Sequence, residues 1–238
     1  MTDDELRERV WDELEAAGVA RFPFPPHDRI PNFEGARVAA DRLADQPEWA
    51  AAAVLKANPD APQLPVRRAA LRDGKTVYVA VPRLRDRRCF VRLDPDEIED
   101  VDAATTVSGI GEHGTAVHPT DVEPVDLVVA GSVAVTPDGA RLGKGEGYSD
   151  LEWALLAEAG RVDDDTTVAT TVHERQVREE PVDPDPHDVA LDVIVTPDRV
   201  LRPDRGPRPT GIDWSLLDED RRAELPVLED YRDGMDGR

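Results

Sequence analysis

The chain has 238 residues and a formal net charge of −22, from 51 acidic and 29 basic side chains. That length is sufficient for the core of one α/β domain or of two small ones. The charge repels phosphate backbones and anionic membranes, which excludes a nonspecific nucleic-acid binder, and we expect neither nucleic acid nor a membrane as a partner. Apolar clusters recur along most of the chain, a pattern that argues against disorder.

The acidic side chains are mostly aspartates, which number 32, whereas the lysines are only Lys56, Lys75 and Lys144. This balance is typical of a halophilic protein, whose surface is solvated in a high-salt cytoplasm; an ordinary acidic protein is the alternative. Cys89 has no second cysteine to pair with, so we expect a buried structural thiol. Residues 1–18 are charged throughout and lack the apolar stretch of a signal peptide, so we expect a cytoplasmic protein.

Helical patterns begin at the first residues of the chain. Thr2 and Glu5 have the spacing of a capping box, and apolar residues at helical spacing then predict a helix that Gly18 ends. The proline-rich stretch 22–26 excludes a helix interior there. Three further helices are predicted, over 35–43, 65–71 and 151–159. Residues 51–56 are compatible with either a helix or a strand.

Runs of β-branched and apolar residues between these helices predict strands. The predicted strands cover 76–81, 90–93, 125–130, 132–135, 167–172 and 189–196. Strands that alternate with helices predict an α/β fold with three layers, α/β/α, around a Rossmann-like, mainly parallel sheet. We expect a single domain over residues 1–205 and an acidic C-terminal tail over 206–238, extended or frayed from Asp218 onwards.

A glycine-rich loop between a predicted strand and a predicted helix is the most informative stretch, Gly139-Ala-Arg-Leu-Gly-Lys-Gly-Glu-Gly-Tyr-Ser-Asp150. Its glycines permit positive φ and let backbone N–H groups approach an anion; they are Gly143, Gly145 and Gly147. The N-terminus of the following helix adds its dipole, and Arg141 and Lys144 add fixed positive charge. The pattern predicts a polyphosphate site, with Asp150 available to a magnesium ion on the phosphates. A structural glycine-rich loop is the alternative, because the spacing matches neither the P-loop nor the dinucleotide fingerprint.

This stretch resembles the GxRLGxGxGYYD signature of the 5-formyltetrahydrofolate cyclo-ligase family, also called methenyltetrahydrofolate synthetases. Further segments resemble family motifs in the same order: Pro65 to Lys75, Val81 to Leu84, Glu174 with Gln176, and His187 to Thr196. The resemblance covers about residues 2–196. It is stronger still to the branch of methenyltetrahydrofolate synthetase domain-containing proteins, through 29–33, 131–135 and 143–147. It implies a fold of the NagB/RpiA/CoA-transferase-like kind.

The resemblance implies a cyclising carbon–nitrogen ligase of one-carbon metabolism. Such an enzyme uses ATP and Mg²⁺ to convert its small-molecule partner, 5-formyltetrahydrofolate, to 5,10-methenyltetrahydrofolate, by phosphorylation of the formyl oxygen and ring closure. The implied ATP-binding residues are Arg7, Arg141, Gly143, Lys144, Gly145, Gly147 and Tyr148, and the implied magnesium ligand is Asp150. The implied substrate-binding residues are Asp60, Arg83, Glu174 and Gln176.

Two of these residues have a structural alternative of equal or similar weight. Asp60 stands where the family has a longer glutamate, and in Asn58-Pro59-Asp60 it is also suited to an Asx-type turn. Arg83 belongs to the basic run 83–88, which suits ATP, the glutamate tail of folate or surface ion pairs. We expect the protein to be a monomer or a weak homodimer.

Three residues depart from the family pattern. Asp3 stands where the family has an ATP-contacting lysine, Thr136 where it has an aspartate, and Ser149 where it has a second tyrosine. These departures motivate the alternative of a catalytically altered member that acts as a nucleotide- or folate-binding or regulatory module.

Overall fold

The computed structural model of the chain describes residues 1–180, 182, 185 and 187–232. The helices are α1 (Asp3–Ala16), α2 (Ala36–Ala44), α3 (Pro47–Ala51), α4 (Leu64–Arg72), α5 (Val101–Ala104), α6 (Val107–His113), α7 (Tyr148–Glu158), α8 (Glu219–Ala223) and α9 (Glu229–Arg232). The strands are β1 (Ala20–Arg21), β2 (Asn32–Phe33), β3 (Val54–Ala57), β4 (Thr76–Ala80), β5 (Phe90–Leu93), β6 (Thr115–Val117), β7 (Leu127–Val129), β8 (Ala134–Val135), β9 (Arg141–Leu142), β10 (Thr167–Thr171), β11 (Val193–Val195) and β12 (Val200–Leu201).

Eight strands form the central sheet, in the order β12-β11-β10-β7-β3-β4-β5-β6. The five consecutive strands from β11 to β4 are parallel, while β12, β5 and β6 pair antiparallel at the two edges. Two antiparallel ribbons, β1-β2 and β8-β9, lie outside this sheet. The predicted α/β fold with a mainly parallel sheet is confirmed.

Helices cover both faces of the sheet and make three layers. On one face, α2, α3 and α4 bury apolar side chains that include Leu43, Trp49 and Leu71. On the other face, α7 contributes Trp153, Leu155 and Leu156 to a second core. Because parallel strands buried on both faces need apolar residues at nearly every position, they appear in the sequence as continuous apolar runs.

A third cluster joins α1 to the β8-β9 ribbon. Leu6, Val10 and Leu14 lie along one side of α1 and are at most 1% exposed; they pack with Leu142 of the ribbon and with Val133, which precedes it. The helix begins with the predicted capping box, in which the Thr2 side chain accepts from the Glu5 N–H and the Glu5 carboxylate accepts from the Thr2 N–H. Since the ribbon leads directly into the glycine-rich loop, this packing fixes α1 against that loop.

Five of the six predicted strands are shorter in the structure: 76–81 and 167–172 each lose one residue, and 125–130 reduces to β7. The prediction over 132–135 reduces to β8, and that over 189–196 reduces to β11. The residues before β11 bond elsewhere: the Val189 N–H donates to the Asp150 carboxylate at 3.1 Å and the Leu191 N–H donates to the Gly139 carbonyl at 3.0 Å. Their backbone therefore holds the glycine-rich region instead of extending the sheet.

The expectation of an extended or frayed C-terminal segment is wrong for residues 219–232. This stretch contains α8 and α9, and Leu225, Val227 and Leu228 are at most 1% exposed in the same core as α7. Residues 233–238 lie outside the described residues, and a domain boundary at residue 205 stays a prediction. Within the described part of the chain, no helix combines the length and the apolar character that crossing a membrane requires.

Candidate active site

A cavity of about 230 Å³ lies at the carboxyl ends of the central parallel strands. Its walls are the turn 58–60 after β3, residues 80–83 at and after the end of β4, and the glycine loop, which we define as residues 143–147 between β9 and α7. In open α/β sheets, ligands bind at this edge, outside the carboxyl ends of the strands. The cavity lining includes most of the predicted site residues: Asp60, Arg83, Arg141, Gly143, Lys144, Gly147, Tyr148 and Asp150.

Backbone conformation explains the glycines of the loop. Gly145 and Gly147 have φ values of 93° and 68°, a left-handed region that favours glycine. Gly147 is also the N-cap of α7 and provides no side-chain cap, so the positive end of the helix dipole adjoins the cavity. Positive φ is a wrong expectation for Gly143. There a Cβ would lie 3.1 Å from the Arg141 guanidinium, so close approach is the reason for glycine.

Arg141 and Asp150 bind each other at the inner end of the cavity. One Arg141 nitrogen donates to both Asp150 carboxylate oxygens at 2.7 Å, and another donates to the Gly131 carbonyl at 3.2 Å. The two side chains are only 5% and 10% exposed. Burial disfavours the charged guanidinium, but Asp150 outweighs burial and raises the pKa of Arg141. Both residues belong to the predicted site. In this structure, however, the charge of each is neutralised by the other.

Lys144 and Arg83 belong to different walls of the cavity and share one anion, Glu146. Lys144 Nζ lies 2.6 Å from one Glu146 carboxylate oxygen, and an Arg83 nitrogen lies 3.7 Å from the other. All three side chains are part-exposed, between 36% and 57%. Two cations that converge on one carboxylate form a site that a phosphate group can occupy, because phosphate offers the same acceptor oxygens with more charge.

Arg7 and Gly145, the latter within the loop itself, lie outside the lining of this cavity. Arg7 Nε donates to the Gly143 carbonyl at 2.8 Å, and its guanidinium carbon lies 3.5 Å from where a Cβ on Gly145 would be. Asp3 lies beside Arg7, with 4.0 Å between carboxylate and guanidinium. The structure therefore uses Arg7 to attach α1 to the loop.

The opposite wall is the turn Asn58-Pro59-Asp60. The Asp60 carboxyl does not cap the 3₁₀ turn that follows it, and burial raises the pKa of this carboxyl, with Glu152 adding to the rise and Lys144 opposing it. Arg67 holds the turn from behind by donating to the Asn58 and Asp60 carbonyls. Arg67 is 1% exposed, so the turn is fixed by a guanidinium removed from solvent.

The predicted site residues do not include a buried ion pair next to the cavity, Lys56 with Glu152. Lys56 Nζ donates to the Glu152 carboxylate, and both residues are at most 5% exposed. Asn58 adds a 3.4 Å contact to the same carboxylate, and its side-chain oxygen accepts from the Gly131 N–H at 3.1 Å. The sequence signal is a lysine in the apolar run 54–57, whose alternation places Lys56 on the α7 face of the sheet.

Comparison with known proteins identifies the family. A model of the 5-formyltetrahydrofolate cyclo-ligase family matches residues 3–197. The chain belongs to this family. It is also similar to methenyltetrahydrofolate synthase domain-containing proteins of Danio rerio and Mus musculus, 40% and 41% identical over 233 residues. Those matches cover 96% of this chain but 61% and 62% of the relatives, so the chain spans about three fifths of their length.

The fold of the family member agrees with that of a solved structure. The NMR structure of Aquifex aeolicus 5,10-methenyltetrahydrofolate synthetase has a TM-score of 0.54 and 20% identity, over 87% of this chain and 95% of that chain. At this identity, the similarity shows the α/β fold alone. The functional argument therefore rests on the cavity and on the family match.

Two residues that the cyclo-ligase resemblance implies in substrate binding lie outside the cavity lining. Gln176 is 1% exposed; its amide donates to the Ser132 and Val133 carbonyls at 2.9 and 3.1 Å and accepts from the His173 N–H. Glu174 forms an ion pair with Arg199. The geometry gives Gln176 a structural role before β8, and a substrate contact by either residue stays a prediction.

The carboxylates of the described residues decide whether a magnesium ion fits this cavity. Among the described residues, no group of three or more His, Cys, Asp or Glu side chains is placed to hold a metal ion. Mg²⁺ on a nucleotide needs only one or two protein carboxylates, because phosphates and water complete its shell. Asp150 provides one carboxylate, and Glu152 lines the same cavity. The residues fit a nucleotide-bound ion and not one held by protein alone.

Proposed function

We propose that this family member converts 5-formyltetrahydrofolate to 5,10-methenyltetrahydrofolate with consumption of ATP. The observation that carries the proposal is the convergence of Lys144 and Arg83 on one anionic position in a cavity beside the N-terminus of α7. Within a chain of the cyclo-ligase family, this position suits the transferred phosphate. Asp60 lies in the opposite wall of the same cavity.

The chemistry requires positioning more than an enzyme nucleophile. The formyl oxygen of the substrate attacks the γ-phosphorus of ATP, and the bond to ADP breaks. The folate N10 then adds to the activated carbon and loses its proton, and the former formyl oxygen leaves within inorganic phosphate. Charge accumulates on phosphate oxygens in both steps, so fixed cations and backbone N–H groups are the main catalytic resource.

Individual residues have distinct tasks in this proposal. Lys144 and Arg83 exchange Glu146 for phosphate oxygens, and Gly145 and Gly147 let the loop backbone approach the same group. When bound, magnesium neutralises part of the phosphate charge, and Asp150 supplies a carboxylate oxygen for it. Arg141 holds Asp150 in place.

Asp60 is proposed as the acceptor for the folate ring system. A carboxyl that does not cap its own turn and whose pKa is raised by burial remains available to N–H donors of a pterin. The rigid support from Arg67 keeps this carboxyl opposite the loop.

Turnover at high salt tests the proposal. Purified protein, Mg-ATP and 5-formyltetrahydrofolate are combined, and the near-ultraviolet absorbance of the methenyl product is followed. The proposal expects product that requires ATP, with one ADP formed per methenyl group. ATP binding without any product would contradict the enzymatic function.

A second candidate is a binding or regulatory module that retains the site without ring closure. The observations in its favour are that Asp3, in the position of a family lysine, lies beside Arg7, and that Thr136, in the position of a family acid, donates to Asp138 in the turn between β8 and β9. In that case ATP or folate binds with no turnover. A cytoplasmic location, a halophilic surface and a monomeric or weakly dimeric state stay predictions from the sequence.

A further inference from the structure

The buried ion pair of Lys56 and Glu152 has no task in the proposed function. Glu152 lines the cavity, whereas Lys56 lies outside the lining, and both residues are buried. Neither residue belongs to the segments that carry the family resemblance, and the glycine-rich signature ends at Asp150, two residues before Glu152. The family motifs therefore assign no role to this pair.

One carboxylate oxygen of Glu152 is bound and the other is available. Lys56 Nζ donates to Oε2, and the Asn58 amide nitrogen lies 3.4 Å from the same oxygen. Within the described part of the chain, Oε1 makes no hydrogen bond. Because Glu152 lines the cavity, a bound ligand can occupy the free side of this carboxylate.

Glu152 lies where the two proposed substrates meet. It belongs to α7, whose N-terminus adjoins the glycine loop, and it contacts Asn58 in the turn that carries Asp60. Burial raises the pKa of the Asp60 carboxyl, and the charge of Glu152 adds to the rise. The Glu152 carboxylate is thus near both the wall proposed for the phosphate and the wall proposed for the folate ring.

Lys56 makes a buried carboxylate compatible with a phosphate site. A lone buried carboxylate is costly and repels phosphate, whereas an ion pair carries no net charge. Only the carboxylate half of this pair lines the cavity. The pair therefore presents its negative end to a ligand without adding net charge to the site.

Ring closure generates a positive charge that such a carboxylate can stabilise. As the bond from carbon to the former formyl oxygen breaks, its electron pair leaves with phosphate, which also takes the proton lost from N10. A nitrogen lone pair forms the new C=N bond, so one positive charge is shared by N5, the bridging carbon and N10. The substrate has a neutral amide at the same place. A fixed anion beside this unit therefore binds the transition state and the product more tightly than the substrate.

We propose that Glu152 is a further catalytic residue, whose free oxygen Oε1 lies against the cationic methenyl bridge while Lys56 holds the other oxygen. The inference rests on the proposed function and adds the group that stabilises the product cation. In this arrangement, Lys144 and Arg83 face the phosphate and Glu152 faces the bridge.

Binding of two folates that differ in charge tests this role. Titration calorimetry of the full chain measures the affinities for 5,10-methenyltetrahydrofolate and 5-formyltetrahydrofolate without ATP or magnesium, in slightly acidic buffer in which the methenyl cation is stable. Glu152→Gln removes the carboxylate charge and keeps the shape of the side chain. Lys56→Met combined with Glu152→Gln removes both charges, so no buried cation is left unpaired if the single variant fails to fold. Glu112→Gln, at an exposed position of α6 outside the lining, is the control for the loss of one acidic charge.

Glu152→Gln and the double variant are expected to weaken binding of the methenyl cation about tenfold and to leave binding of the neutral 5-formyl substrate within about twofold, because only the cation loses a charged partner. In turnover, kcat is expected to fall at least about tenfold, with the KM for Mg-ATP and the KM for folate within about twofold. A merely structural role would weaken both folates alike. Glu112→Gln is expected to match the parent.

Three results would overturn the inference, and they are distinguishable. If the variants bind both folates as the parent does, or lose both equally, Glu152 does not face the cation, while turnover by the parent still supports the proposed function. If the variants raise the KM for Mg-ATP and keep the parent's preference between the two folates, Glu152 serves the nucleotide-bound magnesium instead. If the parent forms no methenyl product from Mg-ATP and 5-formyltetrahydrofolate, the proposed function fails together with the inference.

Discussion

Two of the walls of the cavity, the one with the glycine loop and the one formed by the turn 58–60, balance their charges in different ways. On the glycine-loop wall, the cations already have partners: Arg141 binds Asp150, and Lys144 binds Glu146. On the turn wall, no ion pair of the described residues involves Asp60, and Arg67 behind it donates only to backbone carbonyls. The loop is thus neutralised internally, whereas the turn retains a carboxyl whose ionisation burial disfavours.

This difference predicts how each wall responds to ligands and to mutation. In the proposed function, phosphates displace the part-exposed Glu146 carboxylate, so the cations Lys144 and Arg83 exchange one anion for another. In the turn, the Asp60 carboxyl has no ion-pair partner to exchange among the described residues. Because burial disfavours its charged form, the ionised carboxyl destabilises the protein when no ligand is bound. Removing a loop cation is therefore expected to weaken the protein or its activity, while neutralising Asp60 is expected to stabilise the fold and harm the function.

Arg141→Ala is expected to give the largest effect on stability. It leaves the Asp150 carboxylate buried without its guanidinium, which costs about 3–5 kcal/mol of the free energy of unfolding. Urea unfolding of Arg141→Ala, Asp150→Ala and the double variant measures it. The double variant is expected to lose less free energy of unfolding than the two single variants together. A loss below about 1 kcal/mol for Arg141→Ala would show that Arg141 is not needed to neutralise the buried Asp150 carboxylate.

Lys144→Ala is expected to give the largest effect on activity at constant stability. Its side chain is 36% exposed and its ion pair lies at the surface, so the unfolding midpoint should stay close to that of the parent. The value of kcat/KM should fall about 10²- to 10³-fold, as on loss of one fixed charge at a developing anion. Arg88→Ala, an exposed cation outside the cavity lining, is the matched control and should retain full activity.

Asp60→Asn is expected to stabilise the protein at neutral pH. Because burial raises the pKa of this carboxyl, the folded state binds more protons than the unfolded state between the usual pKa of 3.8 and the raised value. The stability of the parent therefore falls as pH rises through this window, and that of Asp60→Asn lacks this fall.

Thermal unfolding from acidic to neutral pH measures the effect. The gain in Tm should vanish below the usual pKa, where the parent carboxyl is protonated in both states, and the KM for folate should rise about tenfold at neutral pH from loss of one charge-assisted hydrogen bond. A lower Tm for Asp60→Asn at neutral pH would show that Asp60 is a structural turn residue.

Glu146→Gln is expected to give the smallest effect. It releases Lys144 and Arg83 from their internal anion, so ATP competes with a neutral amide in place of a carboxylate. Exposed ion pairs of this kind contribute at most about 1 kcal/mol, which corresponds to a fall of about two- to fivefold in the KM for ATP. A rise in that KM would contradict the exchange of partners at the loop.

Local signals made part of the fold and the site predictable. The capping box of Thr2 and Glu5 is fixed by residues three apart, and the strand-loop-helix around the glycine loop follows from short-range patterns. In a parallel sheet, residues that follow different strands lie at the same edge. Asp60 and Lys144 do meet there, in one cavity.

Tertiary pairing made the rest unpredictable from one sequence. Lys56 and Glu152 are 96 positions apart, and their pairing depends on how α7 crosses the sheet. Packing of α1 on the ribbon directs Arg7 to the Gly143 carbonyl, a contact between residues 136 positions apart, and its role at the nucleotide stays a prediction. The C-terminal helices α8 and α9 have five and four residues, too short for a helical period to show, and they are stabilised by contacts made elsewhere in the chain.

The fate of the formyl oxygen tests the central claim most directly. The substrate is labelled with ¹⁸O in the formyl group, turned over with Mg-ATP, and the inorganic phosphate is analysed by mass spectrometry. Phosphoryl transfer to the formyl oxygen in the cavity predicts one labelled oxygen in each phosphate released with the methenyl product. Unlabelled phosphate, or no methenyl product from protein that binds both substrates, would contradict it.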